Sequence, residues 1–206
     1  MSGGKYIPKD IASLYEVHDF KHAAAILSNE FPDQFDDICA ALREFRFCEE
    51  DIVASGGNES NIPKIFSSLL RPGGWNEKNL TAELVVYEIE KKKDPVFKHS
   101  LIHGSHKVDY VKGRVAFDLE WNSKDQTFDR DLYAFRAFFD YDAISLGVLV
   151  TRSNELNSVF RKLNILPKYG TSTTHMGKLL PRLEAGRNGG CPVLVFGITS
   201  RLIIKK

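Results

Sequence analysis

Two acidic residues stand two apart in an otherwise apolar stretch, Val115-Ala-Phe-Asp118-Leu-Glu120-Trp121, and a third, Asp109, lies just upstream. Converging carboxylates are hard oxygen ligands, the kind that holds a small divalent cation such as Mg²⁺. A cation held this way neutralises a phosphate, steadies a leaving oxygen and lowers the pKa of a bound water. The triplet therefore points to phosphodiester chemistry, with Asp109 and Asp118 as metal ligands. Glu120 either joins them as a ligand or orients and deprotonates the attacking water.

Such acids need an element that aims them together. A two-residue turn at Lys112-Gly113, with Gly supplying positive φ, joins Lys107–Val111 to Arg114–Trp121 as a hairpin. In that register Val111 faces Arg114 and Asp109 faces Ala116, so Asp109 and Asp118 are diagonal neighbours, roughly 7–8 Å apart at the backbone. Side chains alternate faces along each strand. One face then carries Val108, Tyr110, Val115, Phe117, Leu119 and Trp121. The other carries Lys107, Asp109, Val111, Arg114, Ala116, Asp118 and Glu120. The same alternation also describes a half-buried hairpin with a solvated acidic face. A fourth acid would come from the helical segment before the sheet, with Glu59 and Glu77 as candidates.

The rest of the chain must form the platform. With 206 residues, 43% of them hydrophobic, it can bury one sizeable core, so a single domain over 1–206 is expected. Residues 1–55 form its N-terminal helical part, with helices over about 10–28 and 34–48. Residues 56–206 form the core. A short helix over Pro63–Leu70, a strand over Glu83–Glu90 and a charged loop over Lys91–Ser105 lead to the hairpin. Asp129–Asp140 reads as a helix with Leu132, Phe135 and Phe139 on one face. Ile144–Val150 and Pro192–Ile198 read as buried strands, with a helix near Glu155–Leu163 between them. The expected class is α/β, a central mixed sheet flanked by helices.

The formal net charge of +1 gives no global argument for a polyanionic partner, although a basic groove can hide in balanced totals. No apolar run approaches the roughly 18 residues of a membrane helix, and the start of the chain has no signal segment, so no membrane partner is expected. The three cysteines, Cys39, Cys48 and Cys191, show no metal spacing and fit a reduced cytoplasmic protein. His99, His103 and His106 mimic zinc spacing but fall in the charged loop with no fourth partner nearby.

Asp109-x8-Asp118-Leu-Glu120, followed by helix and apolar strand, resembles the active site of type II restriction endonucleases, in the BglII/BamHI-like branch of the PD-(D/E)XK nucleases. Phe117-Asp-Leu-Glu-Trp-Asn-Ser123 is similar to the strand end of that branch. So are the segment Asn61–Asn76 and the Pro-initiated strand Cys191–Ile198. The likeness is close over 107–152 and looser over about 55–200. It implies a restriction-endonuclease-like core, cleavage of double-stranded DNA at a short palindrome, Mg²⁺ (with Mn²⁺ or Ca²⁺ as substitutes), a homodimer, and a cognate DNA methyltransferase in a prokaryotic cell. It also suggests a palindrome containing GATC. Most such nucleases carry Lys where this chain has Glu120. Glutamate brings no positive charge, and the BamHI-like members share the departure. Another nuclease on the same fold and a catalytically inactive DNA-binding module stay open as alternatives. A carboxylate-pair glycosidase ranks below them, because no aromatic sugar platform accompanies the acids.

Base readout needs amides, hydroxyls and cations in a groove. Asn122, Ser123 and Lys124 leave the acidic strand, and the resemblance sets the first two on a base-contacting pair. Thr171, Ser172, Thr173, Thr174 and His175 form a second polar segment, while Lys178, Arg182 and Arg187 would hold phosphates. Asp125, Asp129 and Asp131 read as helix-start charges instead. The N-terminal helices, or the helix over 129–140, are the expected dimer surfaces.

Overall fold

The computed structural model describes residues 5–53 and 60–204, apart from the side chain of His103. In chain order the helices and strands begin with α1 (Lys9–Leu14), β1 (Tyr15–Phe20), α2 (Ala23–Glu30), α3 (Pro32–Glu44), α4 (Glu49–Val53) and α5 (Asn61–Leu70). There follow β2 (Asn76–Glu88), β3 (Val96–Lys112), β4 (Val115–Glu120), α6 (Thr127–Asp140), β5 (Leu146–Arg152), α7 (Asn157–Lys162), α8 (Met176–Glu184) and β6 (Val193–Ile198). The strands make one mixed sheet in the order β1-β6-β5-β4-β3-β2. β4, β5 and β6 run parallel at its centre, while β1, β3 and β2 join antiparallel. Every residue of the three central strands is buried, which is why they read as near-continuous apolar runs.

Each sheet face has its own core. Val115, Phe117 and Leu119 of β4 pack into the larger one, with residues of α1–α5 such as Leu42, Phe66 and Leu70. Ala116 of β4 packs into the other, with Phe128, Leu132 and Phe135 of α6 and Leu179 and Leu183 of α8. Alternation then puts Asp118 and Glu120 on the α6 side, in the same row as Ala116. α6 lies very close to the sheet there, since a Cβ on Gly147 of β5 would meet the Phe135 ring at 2.3 Å.

Three sequence expectations are corrected. The first helix is broken by β1, where Tyr15–Phe20 pairs antiparallel with β6; sheet pairing overrides the local helical pattern. The charged stretch after Lys91 is mostly β3, the long partner of β2. Its polar residues mislead because the outer part of this two-stranded ribbon faces solvent. Eight of the twelve exposed large hydrophobics among the described residues lie between Leu84 and Ile102, so the ribbon extends beyond either core. Finally, α8 (Met176–Glu184) adds a helix that the expected elements between Leu163 and Pro192 do not include.

Candidate active site

β3 and β4 form the expected hairpin, with its turn one residue later. Gly113 and Arg114 make the two-residue loop, with Lys112 paired to Val115 and Tyr110 to Phe117. Gly113 takes φ +56°, as the first central position of a II′-type turn requires. The shift preserves which residues share a face, but it brings Asp109 level with Asp118 instead of diagonal to it. The ladder ends at Tyr110–Phe117, and the Asp109 backbone N–H donates to Asp118 Oδ1 at 3.1 Å.

A β-bulge lies at Asp109. Val111 pairs with Asn76 and Val108 with Lys78, so Asp109 and Tyr110 stand against the single residue Glu77. The extra residue turns Val108 to the α6 face beside Val111, a correction to simple alternation. The Asp109 side chain is 53% exposed, with Lys107 Nζ at 3.8 Å from Asp109 and 2.6 Å from Glu77. Glu77 is thus a strand residue beside the site, not part of a preceding helix. Glu59 lies outside the described residues.

Asp118 and Glu120 are almost fully buried, at 5% and 7% exposure. A third buried acid that sequence reading had set aside, Asp131 of α6, stands beside them. Burial pushes the Asp118 carboxyl well above its ordinary value, and the charges of Asp131, Asp109 and Glu120 add to that. Burial and the Glu120 charge push Asp131 up as well, against the pull of Arg130. Glu120 Oε2 and Asp131 Oδ2 are buried without a hydrogen-bond partner. Clustered acids relieve such repulsion by taking up a proton or a cation. The signal for Asp131 was available: it sits three residues after Phe128 and four before Phe135, inside the apolar stripe of α6.

The two expected DNA-reading segments meet. Lys124 and Thr173 form a β-bridge, Thr174 N donates to Ser123 O at 2.9 Å, and Asp125 N donates to Ser172 O at 2.9 Å. Asn122 Nδ2 reaches Lys168 O at 3.4 Å. Thr171, Ser172 and Lys124 are exposed, and Asn122, Ser123, Thr173 and His175 half-buried. Thr174 is wholly buried, a correction that withdraws its hydroxyl from any groove. Sequence reading missed the anchor, Arg152 at the end of β5. Its buried guanidinium donates to Thr174 O at 2.8 Å, to Tyr169 O at 3.3 Å and to the Thr173 hydroxyl. Burial lowers the Arg152 pKa to about 10, and burial with the nearby Arg152 and Lys178 charges lowers His175. Of the expected phosphate holders, Arg182 is tied to Asp129 at 3.0 Å and Asp125 at 3.4 Å. Arg187 pairs with Asp129, and Lys178 lies 3.7 Å from Asp125.

Among the described residues no three His, Cys, Asp or Glu side chains close into a ready-made metal cage. His99 and His106, two of the three histidines with zinc-like spacing, lie on β3, and the side chain of His103 lies outside the described residues. The acidic donor set nevertheless fits a small hard divalent ion, which keeps several waters and binds through one or two carboxylates plus substrate phosphate. Unneutralised Asp118 and unpartnered Glu120 Oε2 offer that charge and those lone pairs.

A mixed sheet flanked by helices, with carboxylates clustered at the end of a central strand, is consistent with a restriction-endonuclease-like fold. The sequence model of the restriction endonuclease BglII/BglIII family matches residues 15–198. The chain belongs to that family, and is a type II site-specific DNA endonuclease. Membership implies DNA as substrate and a divalent metal cofactor. No curated protein matches the chain. Among the described residues no helix is long and apolar enough to cross a membrane.

Proposed function

We propose that this enzyme is a Mg²⁺-dependent homodimer that cuts a short palindrome in duplex DNA, with Asp109, Asp118 and Glu120 as its catalytic acids. The observation that carries the reading is the buried excess of negative charge where β4 meets α6. When bound, the ion supplies Lewis-acid neutralisation of the scissile phosphate and a more acidic water. Asp118 and Asp109 would hold it, with Glu120 within reach. Asp109 lies exposed at the bulge, open to an approaching phosphate, while burial keeps Asp118 fixed.

In hydrolysis a water oxygen bonds to phosphorus as one ester P–O bond breaks. Glu120 accepts the water proton, and the leaving oxygen is protonated from solvent. Glu120 suits that task because its Oε2 is buried yet unbonded. Asn122, Ser123, Lys124 and the 171–175 loop follow the same strand end, so base readout and cutting share one support.

One such centre cuts one strand, so two copies related by a two-fold axis would match a palindrome. The exposed face of α6, where Tyr133, Arg136, Ala137, Asp140 and Tyr141 line a groove, suits that contact. Inside a cell the enzyme would be paired with a DNA methyltransferase of the same specificity. Digestion of a long plasmid with Mg²⁺, followed by sequencing of the cut ends, tests the proposal. Discrete ends at one palindrome support it. Cutting without sequence preference, or by Asp118→Ala at the wild-type rate, overturns it.

A further inference from the structure

Asp118, Glu120 and Asp131 bring three carboxylates together, and Glu120 stands where a lysine is usual. A guanidinium from α6 stands at that point. Arg130 Nε and Nη2 donate to Asp131 Oδ1 at 3.2 and 3.1 Å, and Nη2 lies 3.6 Å from Glu120 Oε1. The Arg130 side chain is 67% exposed, against 9% for Glu120. Its Nη1 makes no hydrogen bond to any described residue. The group therefore straddles the boundary, with one edge on the buried acids and the other turned to the side from which DNA must come.

We propose that Arg130 is a catalytic residue that contacts a non-bridging oxygen of the scissile phosphate, supplying from α6 the positive charge that β4 lacks at position 120. This rests on reading the carboxylate cluster as the catalytic centre. Three observations support it. Arg130 is the cation the structure pairs with Glu120, whereas Lys107 serves Asp109 and Glu77 on the other side. A planar guanidinium presents several donors in a fixed fork, so it can keep one bond to Asp131 while giving another to phosphate. Its charge persists at every working pH, and it exchanges no proton with the reacting groups. When a cation neutralises the acids, the guanidinium is free to follow the negative charge that a phosphate brings and that builds on its oxygens.

The test uses full-length Arg130→Ala and Arg130→Lys on a duplex carrying the palindrome identified from plasmid ends. Single-turnover cleavage with Mg²⁺ is compared with affinity for the same duplex in Ca²⁺. Each measurement is repeated with sulfur replacing either non-bridging oxygen at the scissile phosphate. Arg130→Ala is expected to cleave about 10²–10³-fold more slowly, with affinity changed far less. The rate penalty for one sulfur diastereomer should largely vanish in that variant, and Arg130→Lys should recover part of the rate. An Arg130→Ala rate within about threefold of wild type, with Asp118→Ala inactive, overturns this proposal alone. So does a slow variant that keeps both sulfur penalties, because the arginine would then only position Glu120. If Arg130→Ala does not fold, Arg130→Gln, which also lacks the charge, takes its place in the sulfur comparison. An active Asp118→Ala removes the site reading itself.

Discussion

Asp129 and Asp131 are two residues apart on one helix and lie in opposite electrostatic settings. Asp129, with Asp125, meets three cations, Lys178, Arg182 and Arg187. Burial pulls its pKa upward, but the hydrogen bonds and charges of Arg182 and Arg187 outweigh that and hold the carboxyl below its ordinary value. Asp131, with Asp118 and Glu120, makes a set of three acids facing one largely exposed arginine. Burial and neighbouring charge raise it instead. The first cluster has a cation for each acid and one to spare, and it ties α6 to α8. The second is left unbalanced inside the fold, a cost that makes sense where a cation and a phosphate are to arrive. On the proposed reading, buried acids mark function by their shortage of neutralising partners, not by their number.

That contrast can be broken by mutation. Glu120→Gln, nearly isosteric but unable to accept a proton as a carboxylate does, should lower single-turnover cleavage by about 10²–10⁴-fold. Asp131→Asn removes repulsion in the metal-free protein and should raise Tm by about 2–5 °C, while cleavage falls. The effect depends on pH. The Asp131 pKa is raised in the folded state towards about 8, so its contribution to stability is full below the ordinary aspartate value and is lost as pH rises through that window. With EDTA present, wild-type Tm should therefore fall more steeply between about pH 5 and 8 than that of Asp131→Asn. Asp129→Asn, in the first cluster, should act in the opposite direction and least. Its Tm should drop by about 1–3 °C at neutral pH, with cleavage within about threefold. The Asp129 contribution is present above the ordinary value and disappears as pH falls through the lowered one.

Much of this was legible in the chain, and the failures have physical causes. The parallel core strands announced themselves as apolar runs because both faces are covered. The acidic face survived a hairpin register one turn position out of place, since the shift moves pairing by two residues and period-2 alternation is unchanged. The bulge at Asp109 was invisible, because it depends on pairing with β2, far along the chain. Tyr15–Phe20 was taken as helix for the same reason: its partner is β6. Asp131 was misread by grouping it with Asp125 and Asp129 as helix-start charge, although its place in the Phe128–Phe135 stripe pointed inward. Arg152 at the end of an apolar strand gave no hint that its partners would be the carbonyls of the 168–175 loop.

In the proposed mechanism the unbalanced acids await a divalent cation, and Asp118 is essential to holding it. Thermal unfolding of wild type and Asp118→Asn across a Mg²⁺ titration, with cleavage followed in the same samples, tests this most directly. Wild type should gain several degrees of Tm as Mg²⁺ rises, while Asp118→Asn should start at or above the metal-free wild type, gain little and not cut. An Asp118→Asn protein that keeps the Mg²⁺-dependent shift and the cleavage of wild type would contradict it.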